Sequence, residues 1–402
     1  MNTAQRLLRV ATAGTPGLRR IRRPAHAQSP EFDLAYARTG PRTKTPTVII
    51  PGGPGLGSIV PYRQLRRWAA QGDLDVIMVE HRGVGLSRLD SSGRDLPHSA
   101  MRITEVIDDI AAVLDHEGVS TAFIVGSSYG SYLASSFGVR HGDRVEGMLL
   151  DSALQATADL DLERTAVRDL FWHGDGPLPT AVRRLLASGE DEQKLVTILR
   201  AAYELGGHEL VEPLVRQRLN GRKGLAWRAH DAYAARDDSI AGFPGVYEFD
   251  IAGAIGFREL GYGAPTDGLP LDPALTYASI AHRFPAFEKD TFDLPQLTPT
   301  FTWPLVVLSG TRDLRTPPQI ARRTVDTAQR GTLLTIENGH SALDTQPAAL
   351  LNVVKRLTQN RAHSLSGRES ELDLLPRRGL SARLPHYLGA AVRLDQMLGY
   401  TR

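Results

Sequence analysis

Thr121-Ala122-Phe123-Ile124-Val125 runs directly into Gly126-Ser127-Ser128-Tyr129-Gly130, and the reading of this stretch decides the fold. The first five residues are mainly apolar, β-branched or aromatic, the composition of a short buried strand. Residues 131–140 read as a helix. The turn between them leaves no room for side chains two positions before and two after Ser128, and glycines stand at both places. Outward from this strand–turn–helix, the same alternation continues. Short apolar runs at 32–38, 47–50, 76–79, 147–150, 305–308 and 332–336 read as strands. Helical spacing at 103–114, 318–328 and 347–357 separates them. Continuous apolar strands alternating with helices predict an α/β fold, a mostly parallel sheet covered on both faces.

Between the two strand-bearing stretches the pattern changes. Residues 162–171, 179–186, 192–205 and 225–235 have helical spacing, followed by irregular sequence rich in Gly, Pro and Phe. This predicts an inserted, mainly helical cap. The chain divides into a basic N-terminal arm at 1–30, expected to be flexible, a core at 31–154 and 301–360, a cap at 155–300 and a C-terminal extension at 361–402. Within the extension, residues 389–398 read as a helix docked on the body.

Composition narrows the function classes. Hydrophobic residues make up 42% and charged residues 23% of the 402, so a full core is available and global disorder is excluded. With no cysteine, disulfides, thiolate metal sites and a cysteine nucleophile are ruled out. No run approaches the ~18 apolar residues of a membrane span. The net charge is +2, of which +6 lies in residues 1–30 and +3 in 361–402, leaving −7 on the body. The basic ends lack the interleaved aromatics that stack on bases, so no nucleic-acid partner is expected. Arg9 splits the apolar residues near the N-terminus, which fits an export signal poorly, and the expected location is cytoplasmic.

The chemistry starts at Ser128. A serine hydroxyl is a poor nucleophile until a base takes its proton, and a histidine held by a carboxylate is the usual base. The order Ser, acid, His along the chain is the one that this kind of elbow uses. Strand 305–308 ends in Ser309-Gly310-Thr311-Arg312-Asp313, and strand 332–336 in Glu337-Asn338-Gly339-His340. Asp313 and His340 therefore follow strands at the same sheet edge as Ser128. Read singly, each has a plainer alternative: a capping serine in a βα turn, a helix N-cap and a surface histidine. The other histidines show no metal-binding spacing, and neither metal nor cofactor is expected. For a developing oxyanion, the backbone N–H groups of Tyr129 and of Gly53, in Pro51-Gly52-Gly53-Pro54-Gly55, are the expected donors. The alternative for the latter is an ordinary Gly-Pro turn.

Together these motifs resemble the α/β-hydrolase superfamily, and within it the proline iminopeptidase and tripeptidyl aminopeptidase family of serine peptidases. The resemblance rests on Gly52-Gly53-Pro54-Gly55, Arg82-Gly83-Val84-Gly85-Leu86-Ser87, the elbow at 126–130 and the Asp313 and His340 loops, over roughly 32–155 and 300–360. Pro51 stands where proline iminopeptidases usually have histidine, and His81 where they have glutamine. The resemblance implies cap carboxylates that bind the substrate's free α-amine. The candidates are Glu248 and Glu259, whose alternative is pairing with Arg258 or another cation. It implies an aminopeptidase acting on small peptides. An esterase or lactonase using the same three residues is the second reading, and a non-catalytic binding module the third. Epoxide hydrolases and dehalogenases of this superfamily place aspartate at the position of Ser128.

Overall fold

The structure, a computed structural model, describes residues 3–221, 224–238 and 243–398. Its centre is an eight-stranded sheet. The strands are β1 (Leu18–Arg23), β2 (Phe32–Thr39), β3 (Thr47–Ile50), β4 (Val76–Val79), β5 (Ala122–Ser127), β6 (Val145–Asp151), β7 (Leu305–Gly310) and β8 (Gly331–Ile336). They lie in the order β1-β2-β4-β3-β5-β6-β7-β8. Only β2 runs against its neighbours, and every pair from β4 to β8 is parallel.

Successive residues of the central strands feed two different cores. Ile50, Ile124, Leu150 and Val307 pack with the helices Ile103–His116 and Tyr129–Arg140. Ile49, Val125, Leu149, Val306 and Leu308 pack on the opposite face with Arg63–Gln71 and Pro347–Thr358. Both faces are dry, so these strands read as unbroken apolar runs. The expected α/β architecture with a mostly parallel sheet is what the chain adopts. After β6 come the helices Leu160–Phe171, Pro177–Ala187, Glu192–Leu219 and Leu225–Asp238, with an apolar core of their own.

Three elements depart from the sequence reading. Leu18–Arg23 lies within the segment expected to be a flexible arm, yet it pairs along its whole length with β2. Its arginines are an edge strand's outward residues, held by acids: Arg19 by Glu117 at 3.1 Å, Arg22 by Asp33 at 3.1 Å and Arg23 by Asp109 at 2.8 Å. The helix expected over 192–205 breaks at Gly207 (φ 63°, ψ −155°), a conformation that glycine adopts without strain, and a further helical stretch not foreseen from sequence follows to Leu219. The Gly- and Phe-rich stretch after 235 contains a buried helix, Phe249–Glu259.

The elbow sits at the C-terminal end of β5. Ser128 has φ 54° and ψ −121°, a sparsely populated backbone conformation for a residue with a side chain. A Cβ on Gly126 would stand 2.0 Å from the Gly130 carbonyl oxygen. One on Gly130 would stand 2.2 Å from the Ile50 oxygen and 2.4 Å from the Pro51 oxygen. The strained turn persists because these two glycines let three backbone segments touch. Gly130→Ala forces β3 and the following helix apart. The expected loss is about 3 kcal/mol or more of unfolding free energy in urea titration, since overpacked backbone cannot relax as a side chain does. A loss below about 1 kcal/mol would contradict this packing account.

Candidate active site

Ser128, Asp313 and His340, separated by up to 212 residues, meet at one edge of the sheet. The Ser128 hydroxyl lies 2.8 Å from His340 Nε2. His340 Nδ1 lies 3.0 Å from each Asp313 carboxylate oxygen. Asp313 is 1% exposed and its carboxylate is fixed from behind. It accepts from the backbone N–H groups of Arg315 (3.0 Å) and Thr316 (2.9 Å) and from the Thr316 hydroxyl (2.8 Å). Burial by itself would raise the Asp313 pKa, but the His340 charge and these donors hold it below its usual value. Burial would lower the His340 pKa, and the Asp313 charge more than reverses that, leaving it above 6.5.

The loops that carry the acid and the histidine run against each other through glycine. A Cβ on Gly310 would stand 2.2 Å from the Gly339 oxygen, and one on Gly339 would stand 2.3 Å from the Glu204 oxygen in the cap. Behind His340, the buried Asp151 carboxylate joins the elbow to the histidine loop. It accepts from the Ser127 hydroxyl (2.7 Å) and from the N–H groups of Ala342 (3.0 Å) and Leu343 (2.9 Å). Burial pushes its pKa up to about 6.

The two segments expected to supply oxyanion donors both adjoin Ser128, the first through Gly52 and the second through Tyr129. Gly52 packs against Ser128, with its Cβ direction 3.4 Å from the serine Cβ, and Gly53 follows at φ 129°. Tyr129 opens the helix, so its N–H belongs to the first turn, where intrahelical partners are lacking. Its hydroxyl is held 3.0 Å from Nε2 of the half-buried His81, whose pKa desolvation pulls down to about 4. The loop after Gly53 is clamped by charge. Glu80 accepts from the N–H groups of Ser58 (2.6 Å) and Ile59 (3.0 Å), while Arg66 donates to the carbonyls of the same residues at 2.6 and 2.7 Å.

The cap holds this loop as well. Glu248 N donates to Gly55 O at 2.8 Å and Gly57 N to Val246 O at 2.9 Å, a short antiparallel bridge between Leu56 and Tyr247. The Tyr262 hydroxyl donates to Gly53 O at 3.3 Å. Tyr262 stacks on Tyr277 at 4.8 Å between ring centres, and Phe257 on Phe284 at 4.4 Å, giving an aromatic wall around Phe249.

The two expected cap acids are committed to neighbouring backbone and arginines. Glu248 accepts from Gly85 N (2.5 Å), Gly245 N (3.0 Å) and Arg88 (3.2 Å). Glu259 accepts from Ile103 N (2.7 Å), at the start of the helix Ile103–His116, and from Arg102 (3.4 Å). Glu259 also lies near enough to Tyr129 and Tyr132 to contribute to their raised pKa values, behind the larger effect of burial. The sequence reading missed two other acids. Glu204 and Arg315, 3.3 Å apart, both act electrostatically on His340. Glu163, pushed up to about 7 by burial, pairs with Arg200 at 2.5 Å and acts on Tyr262. Both acids sit on cap helices with no local motif around them, so nothing in the sequence marked them.

Residues 45–347 match the family described as alpha/beta hydrolase fold. A probable proline iminopeptidase of Leptolyngbya boryana is 29% identical over 123 residues, covering 29% of this chain and 34% of that protein. Epoxide hydrolase B of Mycobacterium tuberculosis is 34% identical over 74 residues, covering 18% of this chain and 19% of that protein. The chain thus spans about a third or less of the length of these curated relatives. The crystal structure of a proline iminopeptidase from Mycobacterium smegmatis superposes with a TM-score of 0.51 at 15% identity. It covers 86% of this chain and 100% of its own, a likeness of fold. Matched over most of its length and built on the same helix-covered sheet, the chain belongs to the alpha/beta hydrolase fold family.

Proposed function

We propose that this chain is a serine hydrolase with Ser128 as nucleophile, and that it releases N-terminal residues from short peptides as an aminopeptidase of proline iminopeptidase type. The observation that carries the hydrolase reading is the line from Ser128 Oγ through His340 to both Asp313 oxygens, all at hydrogen-bond distance. His340 Nε2 takes the Ser128 proton as Oγ bonds to the substrate carbonyl carbon. The N–H groups of Gly53 and Tyr129 receive the resulting oxyanion, each worth ~3–4 kcal/mol to the transition state. His340 then gives the proton to the leaving amine as the C–N bond breaks. Water, deprotonated by the same nitrogen, attacks the acyl-serine, and His340 returns that proton to Ser128 Oγ as its bond to the acyl carbon breaks and the product leaves. Asp313 keeps Nδ1 protonated and the ring in place throughout.

The aminopeptidase reading is supported by acids beside an apolar wall. A free α-amine entering a dry pocket needs a carboxylate to offset its lost hydration. Glu204 acts electrostatically on His340, Glu163 on Tyr262 and Glu259 on Tyr129. The rings of Phe249, Tyr262 and Tyr277 suit a compact apolar first residue such as proline. One observation favours the esterase reading instead. Each of these acids already has an arginine: Glu163 with Arg200, Glu204 with Arg315, Glu259 with Arg102. A neutral ester would require none of them free.

Turnover of proline p-nitroanilide, its N-blocked form and a short p-nitrophenyl ester separates the two. The aminopeptidase reading expects the free-amine substrate to exceed the blocked one by at least about 100-fold, the worth of a buried charge-assisted hydrogen bond. Equal rates on both would leave the esterase. In either case Ser128→Ala should lower kcat by about 10⁴-fold or more while unfolding at the wild-type temperature. Undiminished activity in that variant would falsify Ser128 as the nucleophile.

His340 acts as a base only when neutral, and its pKa is raised above 6.5. The rate kcat/KM should therefore fall as pH drops through a midpoint above 6.5. Asp313→Asn removes the negative charge that raises it, so the midpoint should move down, with kcat about 10⁴-fold lower. An acid limb that stays put in Asp313→Asn would show that the titrating group is not His340.

A further inference from the structure

The C-terminal extension lies outside the part of the chain that matches the family, residues 45–347, and has no assigned role. It touches both the core and the cap. Leu365 and Leu372 are buried in the core beside Leu334, Ile336, Leu350 and Val354. At its far end, Leu380–Met397 packs on the cap helices Glu192–Leu219 and Leu225–Asp238. Leu388 and Val392 enter the cap's own apolar core. Asp395 accepts from Leu225 N (3.0 Å) and Ala226 N (2.7 Å), closing the first turn of the second of these helices.

Between these anchors the extension crosses the loop that carries His340. Glu337 N, just past the end of β8, donates to Asp373 Oδ1 at 2.8 Å. The Arg377 guanidinium donates to Glu337 O at 2.7 Å and to Asn338 Oδ1 at 3.2 Å. Asn338 is 3% exposed, and its side chain closes the other side of the loop on the Thr345 hydroxyl at 2.8 and 3.1 Å. On the cap side, Gly207 at the helix kink rests on the Arg312 side chain, and Arg312 pairs with Glu337 at 3.0 Å. Burial and the neighbouring Arg312 charge both lower the Arg377 pKa. A surface arginine without a task would swing into water and avoid that cost.

We propose that residues 361–398 form a clasp between core and cap, and that Arg377 is a positioning residue that fixes the His340 loop against Ser128 and Asp313. The proposal rests on the Ser128 hydrolase reading. Arg377 touches no reacting atom. Its two acceptors lie on Asn338 and Glu337, two and three residues before His340, with only Gly339 between Asn338 and the histidine. Small displacements of a general base cost rate steeply, so the clasp should be visible in kinetics before it is visible in substrate binding.

The test is the second-order rate of fluorophosphonate labelling at Ser128, with intact mass as readout, alongside kcat and KM. Wild type is compared with Ser128→Ala, Arg377→Ala, Asn338→Ala and the double variant. Arg377→Ala should label about tenfold more slowly or worse and lose kcat by a similar factor, with KM within about twofold. Asn338→Ala should show a comparable loss, and the double variant should lose less than the product of the two, because both act on one loop. Arg377→Lys keeps the charge but has one nitrogen in place of the two that separately reach Glu337 O and Asn338 Oδ1. It should show the same kinetic loss and serves as the measurement if the alanine variant does not fold. A purely structural role would lower the melting temperature and leave the labelling rate of folded protein unchanged, and that result overturns the proposal. Wild type that labels normally beside Arg377 variants that also label normally refutes the clasp alone. Wild type that fails to label refutes the hydrolase reading and the clasp with it.

Discussion

Gly130 lies against the carbonyls of Ile50 and Pro51 more closely than any Cβ permits, and the site depends on that contact. The helix after Ser128 can begin where it does only because its second residue has no side chain. Moved outward by a methyl group, that helix would carry Tyr129 away from the Gly52–Gly53 loop and open the space between Ser128 and its expected oxyanion donors. The strain at Ser128, φ 54°, is held by this packing and by the Ser128 N–H bond to Asp151 O at 2.8 Å. Packing that fixes the elbow also fixes the end of β6, where Asp151 reaches on to the histidine loop. A single close approach thus sets the relative positions of three loops.

Loops at a strand edge have no ladder to hold them, and here buried charge takes that place. Glu80 and Arg66 hold opposite faces of the peptide units of Ser58 and Ile59. Asp151 caps the turn after His340, and Asp313 is cradled by Arg315 and Thr316. Taking such groups out of water is costly, which is why burial raises Glu80 to about 7 and Asp151 to about 6. The return is a set of loops whose backbone is fixed from both sides, so Ser128, Asp313 and His340 are held in one arrangement.

The central sheet and the Ser128, Asp313 and His340 positions were legible because each is written locally. An unbroken apolar run marks a strand buried on both faces, and small residues mark a turn that lacks room. Leu18–Arg23 was not legible, because an edge strand's outward side reads as a solvated basic tail until the partner acids 109 and 117 are brought next to it. The cap was half legible. Helical spacing survives there, but Glu163 and Glu204 became neighbours of the site through tertiary packing that no short motif records. Glu248 and Glu259 illustrate the converse. Their local context fits the amine-binding acids implied by the resemblance to proline iminopeptidases, while their carboxylates are bonded to the N–H groups of residues 85 and 103, far away in sequence, and of the nearby residue 245.

The bridge between Leu56 and Tyr247 bears on how this chain divides for exchange with relatives. By sequence the insertion runs from 155 to 300 as one block. By hydrogen bonding, residues 245–262 belong with the Gly53 loop, through Gly55, Gly57 and the Tyr262 hydroxyl. Recombination that swapped the whole insertion would remove part of the wall that shapes the Gly53 loop. The four helices between β6 and residue 238 instead share an apolar core with Leu271, Leu314, Leu388 and Val392, and Asp395 holds the start of the last of them. The seam between the part of the cap that shapes the Gly53 loop and the part that does not therefore falls inside the cap instead of at its edges.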